Sequence, residues 1–401
     1  MSLIGTWMQK TAVSWVIYSL TGSKFMLGVS VFATLFPTAL FSLFGGIVAD
    51  RYNRHKVLLI TQIVSLVQAV FLTFSIVFFK EYAVWIIIAL SAVLGIINGF
   101  DVPARQSLVR DMVSDVKDLP NALALNSSMV NLSKLFGPAL AGFVLERFGD
   151  EVCFGLNALS FVPVIVSLLL MRLPKYGTKP KSDRNLRSEF KESFAFIKGT
   201  PVISSIILFV GLMGLFVLPC TTLTPVFAKD IFNGTAATLG ILDGIIGLGA
   251  FCGAIFLASL KPGVDISRVL AWNTLILGVG LILFSQTDWF SLALVFIALA
   301  AFGMMSVRTV SNTIVQLNVI HELRGRVISI FIMVLTSTLP LGSLLVGTVS
   351  HYIGAQNTVL GEGVISIIIA LIYGRYLHKE RLRKTEECAL EQQREELLMR
   401  A

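Results

Sequence analysis

The stretch GGIVADRYNRHKVL, residues 45–58, sets Asp50, Arg51, Arg54, His55 and Lys56 between two long apolar segments. The 401-residue chain around it is 55% hydrophobic and only 14% charged, with mean hydropathy +0.82, a composition that belongs to a bilayer protein. Crossing about 30 Å of hydrocarbon takes roughly 20 apolar residues as a helix. Working outward from the charged stretch, twelve such runs are read, at 1–20, 25–49, 57–79, 82–103, 119–145, 152–171, 201–228, 236–260, 268–286, 289–310, 326–350 and 355–376. Lipid-spanning strands would alternate over about ten residues, so these continuous runs predict an all-α membrane protein of twelve transmembrane helices.

Charge orients the chain. Lys24, Lys80, Arg147 and Lys229 fall on one side, and Lys10 and Lys134 lie inside runs. The remaining Lys and Arg fall in alternate loops or past the last run: Arg51, Arg54 and Lys56; Arg105, Arg110 and Lys117; the segment 172–200; Lys261 and Arg268; Arg308, Arg324 and Arg326; and the chain end. By the positive-inside rule these face the cytoplasm, with both termini there and the chain multi-pass in the plasma (inner) membrane. The net charge of +8 is this asymmetry, lying against an anionic lipid bilayer face; it calls for no nucleic acid. The four cysteines and four histidines are scattered, and GxxxxGK[ST] is absent, so neither cofactor nor metal is expected.

The hydrophilic break 172–200 divides the runs six and six. It gives an N-terminal bundle at 1–171, a cytoplasmic linker at 172–200, a C-terminal bundle at 201–376 and a cytoplasmic tail at 377–401. Within the linker, Phe190, Phe194 and Ile197 have helical spacing with charges opposite, which predicts an amphipathic helix on the inner face. In the tail, Lys379, Arg381, Arg383 and Lys384 are placed to anchor headgroups. The halves also align on each other. Leu27-Gly28-Val29 falls on Leu239-Gly240-Ile241, Val57-Leu58 on Val269-Leu270, and GPALAG (137–142) on GSLLVG (342–347). Two parallel six-helix repeats are expected, with a substrate path between them near mid-membrane.

The loop at Gly46, Asp50, Arg51, Arg54, His55 and Lys56 resembles the G-x-x-x-D-R-x-G-R-[KR] motif between the second and third spans of the major facilitator superfamily. Asn53 stands where glycine is usual and is expected to take a positive φ. SLIGTWMQ, YSLTGS, DVPARQSLV, NALALNSS, NLSKLFGPALAG and ELRGRV are similar to the branch holding enterobactin-type exporters and multidrug efflux proteins. The resemblance implies a monomeric secondary active transporter working by alternating access, with proton-coupled efflux of a small, partly hydrophobic compound, a drug or siderophore. Relatives usually begin earlier with a basic segment, so a start upstream of Met1 is expected. The resemblance also makes Gly46, Asp50, Arg51, Arg54 and Lys56 a cytoplasmic latch between the halves. It sets Asp50 against the helix beginning near Gly325 and pairs Asp50 with Arg105, which follows Asp101 by one helical turn.

Ionisable groups inside the membrane are costly, and each is a functional candidate. Asp243 is the first coupling or substrate candidate, with Lys134 and Lys10 as partners or as interface-seeking side chains. Glu362 reads as wetted near the outer surface and Arg308 as a headgroup anchor. In GPALAG, Pro138 is expected to bend its helix, while Gly137 and Gly142 allow close packing; the stretch resembles the proline-glycine motif of drug/proton antiporters, which implies export. The alternatives are a facilitator or importer of a small solute, or a transport-inactive membrane sensor or scaffold. A membrane enzyme is disfavoured, because no HExxH and no paired intramembrane carboxylates occur.

Overall fold

The computed structural model describes residues 2–113, 115–171, 186–261, 263–320 and 323–376; the tail and the linker's first part lie outside these. The helices are α1 (Ser2–Thr21), α2 (Lys24–Arg51), α3 (Arg54–Phe78), α4 (Ala83–Asp111), α5 (Leu119–Phe148), α6 (Asp150–Leu170), α7 (Leu186–Gly199), α8 (Pro201–Phe216), α9 (Ala236–Ala258), α10 (Ile266–Gln286), α11 (Phe290–Asn318), α12 (Arg324–Ile353) and α13 (Ala355–Tyr376). Among the described residues there is no strand, and eleven segments are long and apolar enough to cross a membrane. α1 is diluted by Gln9, Lys10, Thr11 and Ser14, yet its 20 residues reach about 30 Å and pack against α5 and α6. Gln9 and Thr11 face protein. Asn157 donates to the Gln9 side-chain oxygen, and the Gln9 amide donates to Gln68 at 3.5 Å.

Most apolar runs became helices within a few residues of their expected limits. α4 and α11 run about eight residues past the apolar runs. The run 201–228 departs most. After α8 the chain continues as 3-10 turns at Leu218–Leu223, a single turn at Thr224–Val226 and a π-helical turn at Phe227–Ile231. Pro219 and Pro225 lack the amide hydrogens a regular helix would use there. Asn53 does not take positive φ: at φ −63° it caps α3, its side chain accepting from the His55 and Lys56 amides at 3.0 and 3.3 Å. α7 also differs from expectation. Ile197 and Ser193 are buried, but Phe194 is 66% exposed, so the helix turns one apolar residue away from the bundle.

The expected repeat has a geometric counterpart. α2 packs with α4, α3 with α4 and α6, and α1 with α5 and α6; in the second half α9 and α10 pack with α11, and α8 with α12. Positive-φ glycines make the corresponding turns before α6 and α13, Gly149 at 86° and Gly354 at 88°. Gly137 faces Trp7 of α1, and its counterpart Gly342 faces Pro219 and Leu215. Between the halves, α2 crosses α12 and α5 crosses α9. A Cβ on Gly28 would lie 2.6 Å from the Ser343 carbonyl and 3.2 Å from Gly347 Cα. A Cβ on Gly142 would lie 2.7 Å from the Ala236 carbonyl and 2.9 Å from Gly240 Cα. Gly28 and Gly240 are repeat equivalents, as are Gly142 and Gly347, so these two seams form one pseudo-symmetric pair.

Candidate functional site

Both seams lie at the end of the molecule away from the charged stretch 50–56. At the opposite end Gly46 has no atom within 4 Å of where a Cβ would stand, and Gly325, near the start of α12, has none either. Among the described residues the close contacts between the halves, Gly28 with Ser343, Gly142 with Ala236, Tyr18 with Asp230 and Thr11 with Asp243, lie at the first end and mid-molecule, so the halves are closed at that end and apart at the other.

At the open end the charged residues partner within their own half. Arg54 donates to both oxygens of Asp111 at 2.8 and 3.0 Å, and its distance to Asp50 is 3.8 Å. Asp50 has a 76% exposed side chain and does not meet α12. Arg105 holds Asp101 rather than Asp50, because the two sit one turn apart on α4; its Nε and guanidinium contacts are 3.1 and 3.0 Å. Asp101 also accepts from Thr61 at 2.8 Å and Gln62 at 2.7 Å, so this carboxylate is buried with its acceptors filled. Arg51 and Lys56 are exposed. The expected latch residues are gathered at one face, and in this conformation they bridge nothing between the halves among the described residues.

In the middle of the molecule the structure brings Lys10, Lys134 and Asp243 together. Lys10 Nζ lies 4.8 Å and Lys134 Nζ 5.6 Å from the centre of the Trp7 ring, so two ammonium groups gather at one indole. Gly137 permits this: a Cβ there would stand 2.5 Å from that of Trp7. Asp243 accepts from Thr11 across the halves at 3.3 Å, and the Thr224 hydroxyl approaches it from the irregular segment after α8. The sequence reading missed Arg308 in this group. It sits ten residues inside the end of α11, about 15 Å from it, and is no headgroup anchor. Lys10 is within electrostatic reach of Asp243 and Arg308, and Lys134 of Arg308 and Lys10. Lys10 and Arg308 are exposed although their neighbours come from both halves. The surface to which they are exposed is the gap between the halves.

The closed end has its own tie. Tyr18, 2% exposed, donates its hydroxyl to Asp230; Lys229 lies 5.7 Å from the Tyr18 ring and reaches the Ser19 carbonyl at 3.5 Å. Lys229 and Asp230 belong to the π-helical turn, a device that recurs at functional sites. The offset that places Gly28 on Gly240 places Tyr18 on Asp230, so this bond lies on the pseudo-twofold axis. Tyr18→Phe removes a hydrogen bond to a charged partner, a loss of about 1.5–3 kcal/mol. The expected result is faster reaction of a cysteine at Ser14 with an impermeant maleimide added from that end, by tenfold or more; an unchanged rate means the tie does not hold the closure.

Glu362 departs from its expected wetted position. It is 3% exposed, and neither carboxyl oxygen has a hydrogen-bond partner among the described residues. The tight α10–α13 seam, where Gly363 meets Gly278 and Ile282, encloses it. Among the described residues no group of three His, Cys, Asp or Glu could hold a metal ion.

The sequence profile of a family described as transmembrane secretion effectors matches residues 1–399. The chain is 25% identical over 393 residues to the staphyloferrin A transporter of Staphylococcus aureus, covering 96% of this chain and 95% of that one. It is 23% identical over 379 residues to macrolide efflux protein A of Streptococcus pyogenes, covering 92% of each. It is 22% identical over 372 residues to the multidrug efflux pump Tap of Mycolicibacterium fortuitum, covering 90% of this chain and 89% of that one. In fold it matches a bacterial homologue of the human lysosomal transporter Spinster, solved inward-facing and unoccupied, with TM-score 0.71, 15% identity and coverage of 92% and 95%. The inward-open xylose transporter XylE from E. coli gives TM-score 0.69 at 12% identity, with 93% of each chain covered.

Proposed function

The chain belongs to the transmembrane secretion effectors of the major facilitator superfamily, and from that premise we propose that it exports a small, partly hydrophobic compound in exchange for protons by alternating access. One observation carries the reading: Lys10, Lys134, Asp243 and Arg308, drawn from both halves, face a gap that is sealed at one end and open at the other. A site near mid-membrane between two repeats is where a rocking motion changes access without dismantling the site. The bundles 1–171 and 201–376 are the moving bodies, and the linker 172–200 tethers them. Arg326 at the start of α12 bonds Glu192 of α7 at 2.8 Å, which ties the tether to the second bundle.

The Lys and Arg bias puts the end bearing Asp50 in the cytoplasm, so this conformation faces inward, ready to load. Asp243, the carboxylate of the central group, carries the proton. Gly46, Asp50, Arg51, Arg54 and Lys56 do not reach the other half here because the latch they form belongs to the other conformation, when the inner ends of α2 and α12 meet. The relatives' cargoes supply the first probes. Radiolabelled staphyloferrin A and a macrolide are offered to everted membrane vesicles containing the full chain. The expected result is protein-dependent uptake of at least one of them, abolished by a protonophore. Uptake that ignores the protonophore supports a facilitator instead, and uptake of neither overturns the reading.

A further inference from the structure

We propose that the central cavity selects an anionic substrate, a carboxylate-bearing compound with an apolar or aromatic body, in preference to a lipophilic cation. This rests on the export reading above and names its cargo class.

Charge makes the argument. Lys10, Lys134 and Arg308 converge on the gap; among the described residues Asp243 is the carboxylate whose charge acts on Lys10, while Lys134 is acted on by the other two cations. Among the described residues none of the three cations has a carboxylate oxygen within salt-bridge distance. The acids of the open end are engaged there: Asp101 by Arg105, Thr61 and Gln62, and Asp111 by Arg54. Asp230 is held by Tyr18 at the sealed end, and Asp243 itself is turned to Thr11. Three like charges held together within a membrane repel one another and are costly, and an entering anion relieves both costs at once. A cleft lined by one sign of charge between low-dielectric walls also concentrates ions of the opposite sign. A cation entering the same gap would meet the repulsion with one carboxylate to offset it.

The residue types assign roles. The planar guanidinium of Arg308, free of protein acceptors among the described residues, can take a carboxylate with two parallel hydrogen bonds. Lys10 and Lys134 act as point charges against Trp7, a half-buried indole that offers apolar surface to the substrate's body. The glycine at 137 positions that ring. Gly137 in the GPALAG stretch thus serves the site through α1 as well as packing.

The test uses two probes with the same fluorophore, dansyl-glutamate as the anion and dansyl-cadaverine as the cation, titrated against the purified full chain in nanodiscs at fixed ionic strength. A net cationic site is expected to bind the anion at least tenfold tighter, about 1.4 kcal/mol. That preference disappears in the Lys10→Gln/Lys134→Gln/Arg308→Gln variant, whose melting temperature and elution volume verify its fold; the single variants, each removing part of it, serve if the triple variant does not assemble. Equal or tighter binding of the cation overturns the proposal. So does an anion preference that the variants retain, or no binding of the anion up to millimolar concentration. The two readings fail separately. Anion preference without protonophore-sensitive uptake sinks export alone, and export of a lipophilic cation from a site without anion preference sinks the cargo class alone.

Discussion

A leucine at Gly142 is expected to stop transport while leaving each half folded. A single Cβ there already stands 2.7 Å from the Ala236 carbonyl, 2.9 Å from Gly240 Cα and 3.1 Å from Ala237 Cα. These are backbone atoms of the opposite half, so no side-chain rotation relieves the contact. Overpacking of this kind costs about 1–3 kcal/mol or more, and about 3 kcal/mol shifts a two-state ratio by roughly 100-fold. Because the clash lies between halves, the strain falls on the closed seam and leaves the bundle cores intact. The carrier is driven toward the conformation in which α5 and α9 part at their outer ends. Vesicle uptake is expected to fall to background, and the cysteine at Ser14 to become labelled from outside. Gly28→Leu does the same through the equivalent seam with α12. Gly46→Leu does the opposite: it fits the present conformation, where nothing lies nearby, and hinders the conformation in which the latch closes. If Gly142→Leu transports normally, the seam is not a moving contact.

The second large effect is expected at Asp243. Asparagine has nearly the same shape and keeps an oxygen for the Thr11 hydroxyl, so Asp243→Asn preserves the contact between α1 and α9 while removing the group proposed to carry the proton. Transport driven by a proton gradient is expected to fall to background, whereas exchange of labelled for unlabelled substrate, which needs no proton turnover, persists. Loss of both would make Asp243 a substrate ligand. Retention of both would place the coupling proton elsewhere, with Glu362 the next carboxyl to replace.

Much of this architecture was legible because lipid imposes a length on each apolar run and forbids unpaired backbone within it. The helix limits and the repeat were therefore open to reading; the GPALAG and GSLLVG alignment contains Gly142 and Gly347, two of the glycines that meet the opposite half, but gave no sign of which helix they meet. The irregular stretch after α8 was signalled by Pro219 and Pro225 but masked by its apolarity. Arg308 was misplaced because the end of an apolar run was taken for the end of a helix, and α11 continues through Thr309, Ser311, Asn312 and Thr313 to Asn318. Trp7 gave no local sign of its role, which depends on α1 and α5 crossing at Gly137. The Tyr18–Asp230 bond had no local signal either; only the repeat offset, applied to polar residues, would have found it. Asp50 was expected across the interface because the motif was read without a conformation, and the inner ends stand apart here.

The most direct measurement of the central claim, that two rigid halves exchange access around one cavity, is a pair of distances between spin labels in nanodiscs. One pair, at Arg147 and Asn233, spans the outer ends of α5 and α9; the other, at Leu125 and Ser259, spans their inner ends, each in a chain with its native cysteines replaced. All four positions are exposed. The account expects a short outer and a long inner distance in the otherwise unaltered chain, and in Gly142→Leu an outer distance that lengthens while the inner one shortens. An outer distance that lengthens with the inner one unmoved, or two distances that the leucine leaves unchanged, would contradict it.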